Sequence, residues 1–166
     1  MNKRAEVIKY LNDLNIPFDL YDHPPVPTVE EALPYWKDID AAHCKNLFFR
    51  NHKGNKHYLV ILDHRRQLNI RDLEQKLKQG KISFASPKRM ERYLGLSAGS
   101  VSAFGIINDH ENHVHLFIDA ALHSVERISF HPNENNATLV ISFASFLRFL
   151  ETSGNSYEFI ALYEDE

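Results

Sequence analysis

The sequence predicts a mixed α/β fold (α+β), in which helices flank an irregular, largely antiparallel sheet within one compact domain of residues 1–166. Three observations predict this class. Amphipathic helical patterns occur near both ends of the chain and between them, and short β-rich runs dominate from Val101 onward. Helices and strands also do not alternate regularly, so a doubly wound parallel sheet is not expected.

The first two helices have clear start signals. An apolar stripe predicts a helix from about Lys3 to Leu14. Thr28, followed three residues later by Glu31, forms a capping box that begins a short second helix. Pro34 should kink or end that helix, because proline lacks the backbone N–H.

The later helices have equally clear boundaries. The pattern "NIRDLEQKLKQG" predicts a helix that stops at Gly80. The next should have Ser86 as its N-cap, Pro87 in its first turn and Gly95 at its end. A last helix is predicted to run from near Ser142 to near Gly154.

Strands are predicted wherever β-branched and aromatic residues cluster. Two fall at Leu47–Arg50 and His57–Leu62, and Gly54 suits the turn between them. Beyond residue 100, turn residues separate four further β-rich runs: "GIIND", "HVHLFID", "RISFH" and "ATLVIS".

Composition restricts the protein class. Hydrophobic residues make up 43% of the chain and charged residues 25%, which is typical of globular proteins. We expect a cytoplasmic protein without a membrane partner, because no apolar run approaches the roughly 20 residues of a membrane span and the first residues lack a signal peptide. The single cysteine cannot form an internal disulfide. A net charge of −3 argues against nucleic-acid binding by bulk charge and leaves RNA contact through a local patch open.

Ten histidines raise the question of a metal site. His113 and His115 have the spacing of a metal-binding pair on one strand face. No cysteine lies close to them in sequence, and there is no H-E-x-x-H or paired C-x-x-C motif, so we expect no metal. Instead, we expect both to line the solvent face of the strand while its apolar residues face the core. Five further histidines are expected at the surface: His52, His57, His64, His110 and His123.

Cys44 allows two interpretations. It could be a nucleophile with a histidine as its base, or a small buried hydrophobic residue beside an apolar strand. The sequence has no G-x-S-x-G elbow, no phosphate-binding glycine-rich loop and no dinucleotide fingerprint. These absences remove the commonest hydrolase, kinase and dehydrogenase classes, and nothing indicates a cofactor.

Three stretches remain as candidates for a functional site. In "HCKN", polar residues stand directly before an apolar strand. In "GSVSAFGIIND", small residues suit a loop whose backbone approaches a ligand and offers N–H donors. In "FHPNENNATL", a polar loop joins two strands, and Pro132 should hold His131 extended. Taken singly, each stretch favours a structural interpretation: a surface lysine, a flexible loop and a turn.

Together and in this order, these stretches resemble the prolyl-tRNA editing family, which comprises the free-standing YbaK/ProX-like proteins and the insertion domain of bacterial prolyl-tRNA synthetases. The resemblance covers nearly the whole chain and includes "YDHPPVPTVEEA", "HCKNLFFR", "ISFASPKRMERYLGL", "GSVSAFGIIND" and "FHPNENNATLVIS". The "CKNLF" form is most similar to the ProX-type branch, which is associated with alanine mischarged on proline tRNA. The implied fold is the compact mixed α/β fold of this family.

The resemblance implies a trans-editing hydrolase that deacylates mischarged tRNA, chiefly Ala-tRNA(Pro), by water attack on the aminoacyl ester, without a metal or another cofactor. The implied partners are aminoacyl-tRNA, bound at the acceptor end of tRNA-Pro, and prolyl-tRNA synthetase as a further candidate. Two alternatives stay open. One is a non-catalytic module of the same fold that binds tRNA ends or a synthetase, and the other is a metal-dependent hydrolase built on the histidines.

The resemblance also assigns residues. Lys45 matches the family lysine tied to activity and to the tRNA 3′ end, and Asn46 stands beside it. His131 and Pro132 match the "FHP" stretch that shapes the amino-acid pocket. Ala103 stands where the substrate loop usually has proline. Because alanine restricts the unfolded chain less than proline, it should make the loop less rigid and lower stability by ~0.4–1 kcal/mol. The substrate-binding loop comprises Gly99, Ser100, Val101, Ser102, Ala103, Phe104 and Gly105. Independently of the resemblance, six cations fall on two neighbouring helical stretches and form either a candidate tRNA-contact patch or solvated helix faces: Lys76, Lys78, Lys81, Lys88, Arg89 and Arg92.

Overall fold

A computed structural model describes residues 2–163. Its helices are α1 (Lys3–Asp13), α2 (Val29–Trp36), α3 (Ile70–Leu77), α4 (Pro87–Leu94) and α5 (Phe143–Ser153). Its strands are β1 (Asp19–Asp22), β2 (Ala42–Asn51), β3 (His57–Asp63), β4 (Ile82–Phe84), β5 (His115–Asp119), β6 (Arg127–Phe130), β7 (Ala137–Ser142) and β8 (Tyr157–Ile160). Short 3₁₀ helices lie at Ala98–Ser100, Ala103–Asn108 and Ala120–Ser124.

The strands form one mixed sheet in the order β1-β7-β6-β2-β3-β5-β8, with β4 paired to β2 outside this path. The pairs β1–β7, β6–β7, β2–β3 and β2–β4 are antiparallel. The pairs β2–β6, β3–β5 and β5–β8 are parallel. This arrangement confirms the predicted mixed α/β class with a largely antiparallel sheet.

Strand β2 has a gap along one of its edges. β3 pairs with it continuously from Cys44 to Arg50. On the opposite edge, β6 pairs only with Ala42 and His43, and β4 pairs only with residues 49–51. Among the described residues, no strand therefore pairs with positions 44–47 on that edge, and the candidate site lies there.

Apolar residues are buried on both faces of the central strands. Along β3, Leu59 and Ile61 belong to the larger core cluster, which also contains Phe149 of α5. Their neighbours Val60 and Leu62 point the other way, into a second cluster with α3. Because side chains alternate along a strand, burial on both faces explains the continuous apolar run "YLVIL".

The predicted helix caps are largely confirmed. Thr28 Oγ1 accepts a hydrogen bond from the Glu31 N–H at 3.3 Å. Ser86 caps α4, and Gly95 ends it in a left-handed conformation with φ 67°. Ser142 caps α5, and Gly154 follows it with φ 82°.

Several predicted elements were wrong in detail. Helix α2 does not end at Pro34 but continues to Trp36, and the alternative that Pro34 kinks it stays a prediction. Helix α3 ends at Leu77, because Lys78, rather than Gly80, takes the left-handed cap position. The "GIIND" run belongs to a 3₁₀ helix instead of a strand, and Ser102 Oγ caps its start by accepting from the Phe104 N–H at 3.2 Å. A short apolar run is compatible with either structure, so its sequence alone could not decide. Strand β8 was also not predicted from the sequence.

The histidine predictions had mixed outcomes. The expectation for His57 was wrong, because its side chain is buried. His113 precedes β5, and the alternating residues Val114, Leu116 and Ile118 are buried as expected. No group of three or more His, Cys, Asp or Glu within residues 2–163 is placed to hold a metal ion. Over the same residues, no helix has the length and apolar character needed to cross a membrane.

Candidate active site

A cavity of about 160 Å³ lies at the gap along β2. It brings together residues from all three stretches that the sequence singled out, although these are separated by up to 87 positions in the chain. Its lining comes from the segment leading into α2 (Pro27, Thr28, Val29), α2 itself (Trp36), β2 (Cys44, Lys45, Asn46, Leu47), the loop after α4 (Ala98, Gly99, Val101) and the β6–β7 loop (His131).

Lys45 and Asn46 enter the cavity from a rigid strand. Their backbones lie opposite Leu62 and Ile61 of β3, in continuous antiparallel register. Lys45 forms no ion pair with any residue in the described range, so its ammonium group is available for an anionic ligand. Asn46 Oδ1 is buried and has no hydrogen-bond partner among these residues. A buried amide oxygen without a partner is costly, and a bound ligand or water would satisfy it.

His131 is held as a neutral ring. Its Nδ1 lies 3.0 Å from the Ala137 carbonyl oxygen, and because a carbonyl can only accept, Nδ1 carries the hydrogen. Burial lowers the pKa of His131, and the charge of His23 adds to the effect, while the hydrogen bond to Ala137 opposes it. At neutral pH, Nε2 therefore keeps a free lone pair, and the ring offers the cavity an acceptor.

Three hydrogen bonds tie the loop beside the cavity to the β6–β7 loop. Ser102 Oγ donates to the His131 carbonyl oxygen at 2.7 Å. Asn135 Nδ2 donates to the Gly99 carbonyl at 3.2 Å, and Asn133 Nδ2 donates to the Phe104 carbonyl at 3.3 Å. These contacts fix the two loops as one unit around the cavity.

Only part of the predicted substrate loop lines the cavity. Gly99 and Val101 do so, whereas Phe104 is fully buried and packs edge-to-face against Phe149 with ring centroids 5.2 Å apart. An added Cβ at Gly105 would lie 2.8 Å from Leu96 Cδ1, so this glycine serves close packing in the core. The predicted residues that do not line the cavity are Ser100, Ser102, Ala103, Phe104, Gly105 and Pro132.

Trp36 is a cavity residue that sequence reasoning missed. Its indole Nε1 donates to Thr138 Oγ1 at 3.0 Å, and its ring stacks on His43 with centroids 4.7 Å apart and planes 4° apart. These contacts hold the indole as a flat, immobile wall. It is the only tryptophan in the chain, but its position in a short helix does not predict that α2 packs over β2.

Cys44 has the environment of a small buried hydrophobic residue. It is 7% exposed and belongs to the larger core cluster. Burial raises the pKa of its thiol well above the usual value, with Asp63 and Asp119 contributing in the same direction. Because the thiolate is the reactive form, the geometry favours the structural interpretation over a nucleophilic one.

The candidate tRNA-contact patch divides into two kinds of residue. Arg89 is half-buried, and its Nη1 donates to the Gly54 carbonyl at 2.9 Å and to His57 Nε2 at 3.0 Å. It therefore connects α4 to the β2–β3 turn, and it is committed to the fold. The remaining members are Lys76, which is half-buried, and Lys78, Lys81, Lys88 and Arg92, which are exposed.

The family follows from comparison with known sequences. A model of the aminoacyl-tRNA editing domain matches residues 23–149, which contain every lining residue of the cavity. The chain belongs to this family. The editing domain is therefore an aminoacyl-tRNA deacylase, an ester hydrolase whose substrate is aminoacyl-tRNA, as the sequence resemblance implied.

Relatives match this chain over most of its length. The prolyl-tRNA editing protein ProX of Acetoanaerobium sticklandii is 36% identical over 166 residues, which cover 98% of this chain and 99% of that protein. Prolyl-tRNA synthetase associated domain-containing protein 1 of Xenopus laevis is 35% identical over 156 residues, or 92% of each chain. A crystal structure named as a candidate trans-editing enzyme for prolyl-tRNA synthetase superposes with a TM-score of 0.70 at 16% identity, covering 97% of this chain and 98% of that one. At that identity the superposition shows a shared fold alone.

Proposed function

We propose that this editing domain hydrolyses the ester that links mischarged alanine to proline tRNA. The observation that carries the proposal is the small cavity that unites Lys45, Asn46 and His131. Its volume of about 160 Å³ lies below the roughly 300–1,000 Å³ of sites for drug-sized ligands, which suits an amino acid better than a nucleotide. The name of the Acetoanaerobium relative, a prolyl-tRNA editing protein, supports proline tRNA as the carrier of the mischarged amino acid.

Alanine is the amino acid that this second site is proposed to remove from proline tRNA. A synthetase pocket large enough for proline cannot exclude a smaller side chain, since a missing methylene costs only ~1–3 kcal/mol of binding. A second site can act as the reverse sieve if it admits alanine and is too small for the proline ring. Trp36 and the tied loops give the cavity the fixed walls that such a sieve requires.

The proposed reaction needs no strong nucleophile, because an aminoacyl ester is already activated. Water attacks the ester carbonyl carbon, and the carbonyl electrons move onto oxygen. When this intermediate collapses, the terminal ribose oxygen leaves and takes up a proton, so the products are free alanine and tRNA. Positioning and stabilisation of the oxyanion then supply the catalysis.

Three polar side chains of the cavity have proposed roles. The ammonium group of Lys45 binds the phosphate or ribose of the terminal adenosine and places the ester in the cavity. The amide of Asn46 positions the water or the oxyanion, and its buried oxygen gains a partner when it does so. His131 shapes the amino-acid pocket, and Nε2 accepts a hydrogen bond from the α-ammonium of alanine. The vicinal ribose hydroxyl of the substrate assists the water.

Binding of the tRNA body is proposed to use the exposed cations on and beside α3 and α4, namely Lys78, Lys81, Lys88 and Arg92, together with half-buried Lys76. Because the chain carries a net charge of −3, this contact is local. Binding should therefore be modest and sensitive to salt. Prolyl-tRNA synthetase is the second proposed partner, since a synthetase releases the mischarged product that the domain corrects.

A deacylation panel tests this function. Proline tRNA charged separately with alanine, serine, cysteine or proline is incubated with the protein, and release of each amino acid is timed. We expect alanine to be released fastest and proline to be spared, and we expect His131→Ala to gain activity on prolyl-tRNA. Equal release of proline and alanine by the wild-type protein would contradict the sieve. Binding of all four tRNAs without release would support the non-catalytic alternative.

A further inference from the structure

Phe84 is an aromatic residue whose exposure the fold does not explain. Its side chain is 60% exposed, whereas the other exposed large hydrophobic residues of the described chain range from 38% to 44%. Its ring stacks on Phe49 with centroids 4.6 Å apart and planes 29° apart. Phe49 thus holds the ring in a fixed orientation and leaves much of it open to solvent.

The strand pairing places Phe84 on the same face as the active-site lysine. Phe84 lies directly opposite Phe49, and the Ala85 N–H donates to the Phe48 carbonyl at 2.9 Å. Since side chains alternate along β2, Lys45 projects from the same face as Phe49. Lys45 and Phe49 are four positions apart, which at roughly 3.3 Å per residue amounts to about 13 Å along the strand.

The charges around Phe84 favour an anionic polymer. Exposed Lys81 and Lys88 lie on either side of it in sequence, and residues 81–90 contain no acidic side chain. The Glu74 carboxylate does contact β4, but it accepts a hydrogen bond from the Ile82 N–H at 3.1 Å. An exposed aromatic ring combined with nearby cations in sequence matches the way proteins bind single-stranded nucleic acid, with a base stacked on the ring.

We propose that Phe84 is a stacking platform for a base of the single-stranded tRNA 3′ end, one of the nucleotides that precede the terminal adenosine. This inference rests on the proposed function, because it assumes that the ester is bound near Lys45. With the terminal adenosine at Lys45, the preceding nucleotides can follow β2 toward Phe84 on the same face. Phe84 thereby contributes to substrate binding without entering the cavity.

A binding experiment tests the platform independently of hydrolysis. The probe is a fluorescently labelled RNA hairpin that ends in a single-stranded 3′-ACCA, followed by anisotropy. Phe84→Ala and Phe84→Leu should weaken binding about 5- to 100-fold, because both remove the π-face, and Phe84→Tyr should keep it. A hairpin with abasic sites in place of the two cytidines should bind the wild-type protein as weakly as the intact hairpin binds Phe84→Ala. Ile70→Ala, at another exposed apolar residue, is the matched control and should bind normally.

Kinetics separate the platform from the reaction centre. Phe84→Ala should raise KM for alanyl-tRNA by the same 5- to 100-fold and leave hydrolysis of alanyl-adenosine unchanged, since that small ester has no preceding nucleotide. Equal loss on both substrates, or no loss on either, overturns the platform. A change from dimer to monomer in sedimentation, with RNA binding intact, also overturns it and assigns Phe84 to self-association. If the wild-type protein releases no amino acid from any tRNA, the proposed function fails, while the hairpin experiment still decides the role of Phe84.

Discussion

The hydroxyl of Ser102 donates a hydrogen bond of 2.7 Å to the backbone carbonyl of His131, 29 positions away in sequence. The same oxygen accepts a hydrogen bond from the Phe104 N–H at 3.2 Å. Ser102 is fully buried, so water does not compete for these contacts. One side chain thus couples the loop beside the cavity to the histidine that lines it.

Ser102→Ala should lower the free energy of unfolding by about 1–3 kcal/mol, because it leaves a buried carbonyl and a buried N–H without this partner. Urea denaturation measures the effect. Ser97→Ala is the control, since Ser97 is exposed and its side chain makes no capping hydrogen bond; it should change stability by less than about 0.5 kcal/mol. Equal stabilities of the two variants would show that the Ser102 contacts are unimportant.

Ala103→Pro should raise the free energy of unfolding by about 0.4–1 kcal/mol. Ala103 is the first residue of its 3₁₀ helix, where proline is tolerated, and Ser102 before it is extended with φ −152° and ψ 152°. Proline therefore fits the native backbone and restricts the unfolded chain. Ala103→Gly, which frees the unfolded chain, should shift thermal and urea unfolding in the opposite direction. A destabilised proline variant would mean that the Ala103 N–H is needed.

Stability should fall as the pH is lowered from about 6.5 toward 4, and His57 should be a main cause. Burial first, and then the nearby charges of His113, Arg89, Arg92 and Arg50, lower the pKa of His57 from 6.5 to about 4. Below pH 6.5 the unfolded state therefore takes up a proton that the folded state refuses, so the stability present above pH 6.5 is lost progressively. The full depression corresponds to roughly 3 kcal/mol.

Urea titrations at pH 7.5, 6 and 5 check this expectation. His57→Gln should flatten the pH dependence, because the variant has no ionisable group at this position. His110→Gln, at an exposed histidine, should keep the slope of the wild-type protein. If His57→Gln and the wild-type protein lose stability in parallel, the titration of His57 is not the cause.

Alanine substitution of the neighbours Lys88 and Arg89 should affect different properties, tRNA binding for Lys88 and fold stability for Arg89. Lys88 is exposed, so Lys88→Ala should weaken tRNA binding, reduce the salt slope of the binding constant by about 1 and leave stability unchanged. Arg89→Ala removes contacts with Gly54 and His57, and should destabilise the fold by about 1–3 kcal/mol. Filter binding over a salt series and urea denaturation distinguish the two. A Lys88 variant that binds tRNA normally would remove it from the patch.

Local features of the fold were predictable because they depend on neighbours in sequence. Ser86 and Pro87 start α4, and Gly95 ends it, by capping rules that need no tertiary information. The prediction of a strand at Gly105–Asp109 was wrong, because a short buried apolar segment fits a strand and a helix equally well. The prediction of a surface position for His57 was wrong, because its burial depends on Arg89 and His113, which are distant in the chain.

The site was predictable where polar residues stood out against their surroundings. Lys45, Asn46 and His131 were singled out beside apolar strands, and the structure places all three at one cavity. Trp36 and Val29 were not predicted as site residues. An apolar residue on an amphipathic helix gives the same sequence pattern whether it faces a core or a cavity. Phe104 was included through its place in the loop motif, yet it packs in the core.

The most direct test of the central claim is single-turnover deacylation of alanyl-tRNA(Pro) by the wild-type protein and by Lys45→Ala. We predict a loss of about 100-fold or more, of the size seen when one preorganised electrostatic group is removed, with the free energy of unfolding unchanged. Lys53→Ala, at an exposed lysine in the β2–β3 turn, should retain full activity. A Lys45→Ala protein that releases alanine at nearly the wild-type rate would contradict the account.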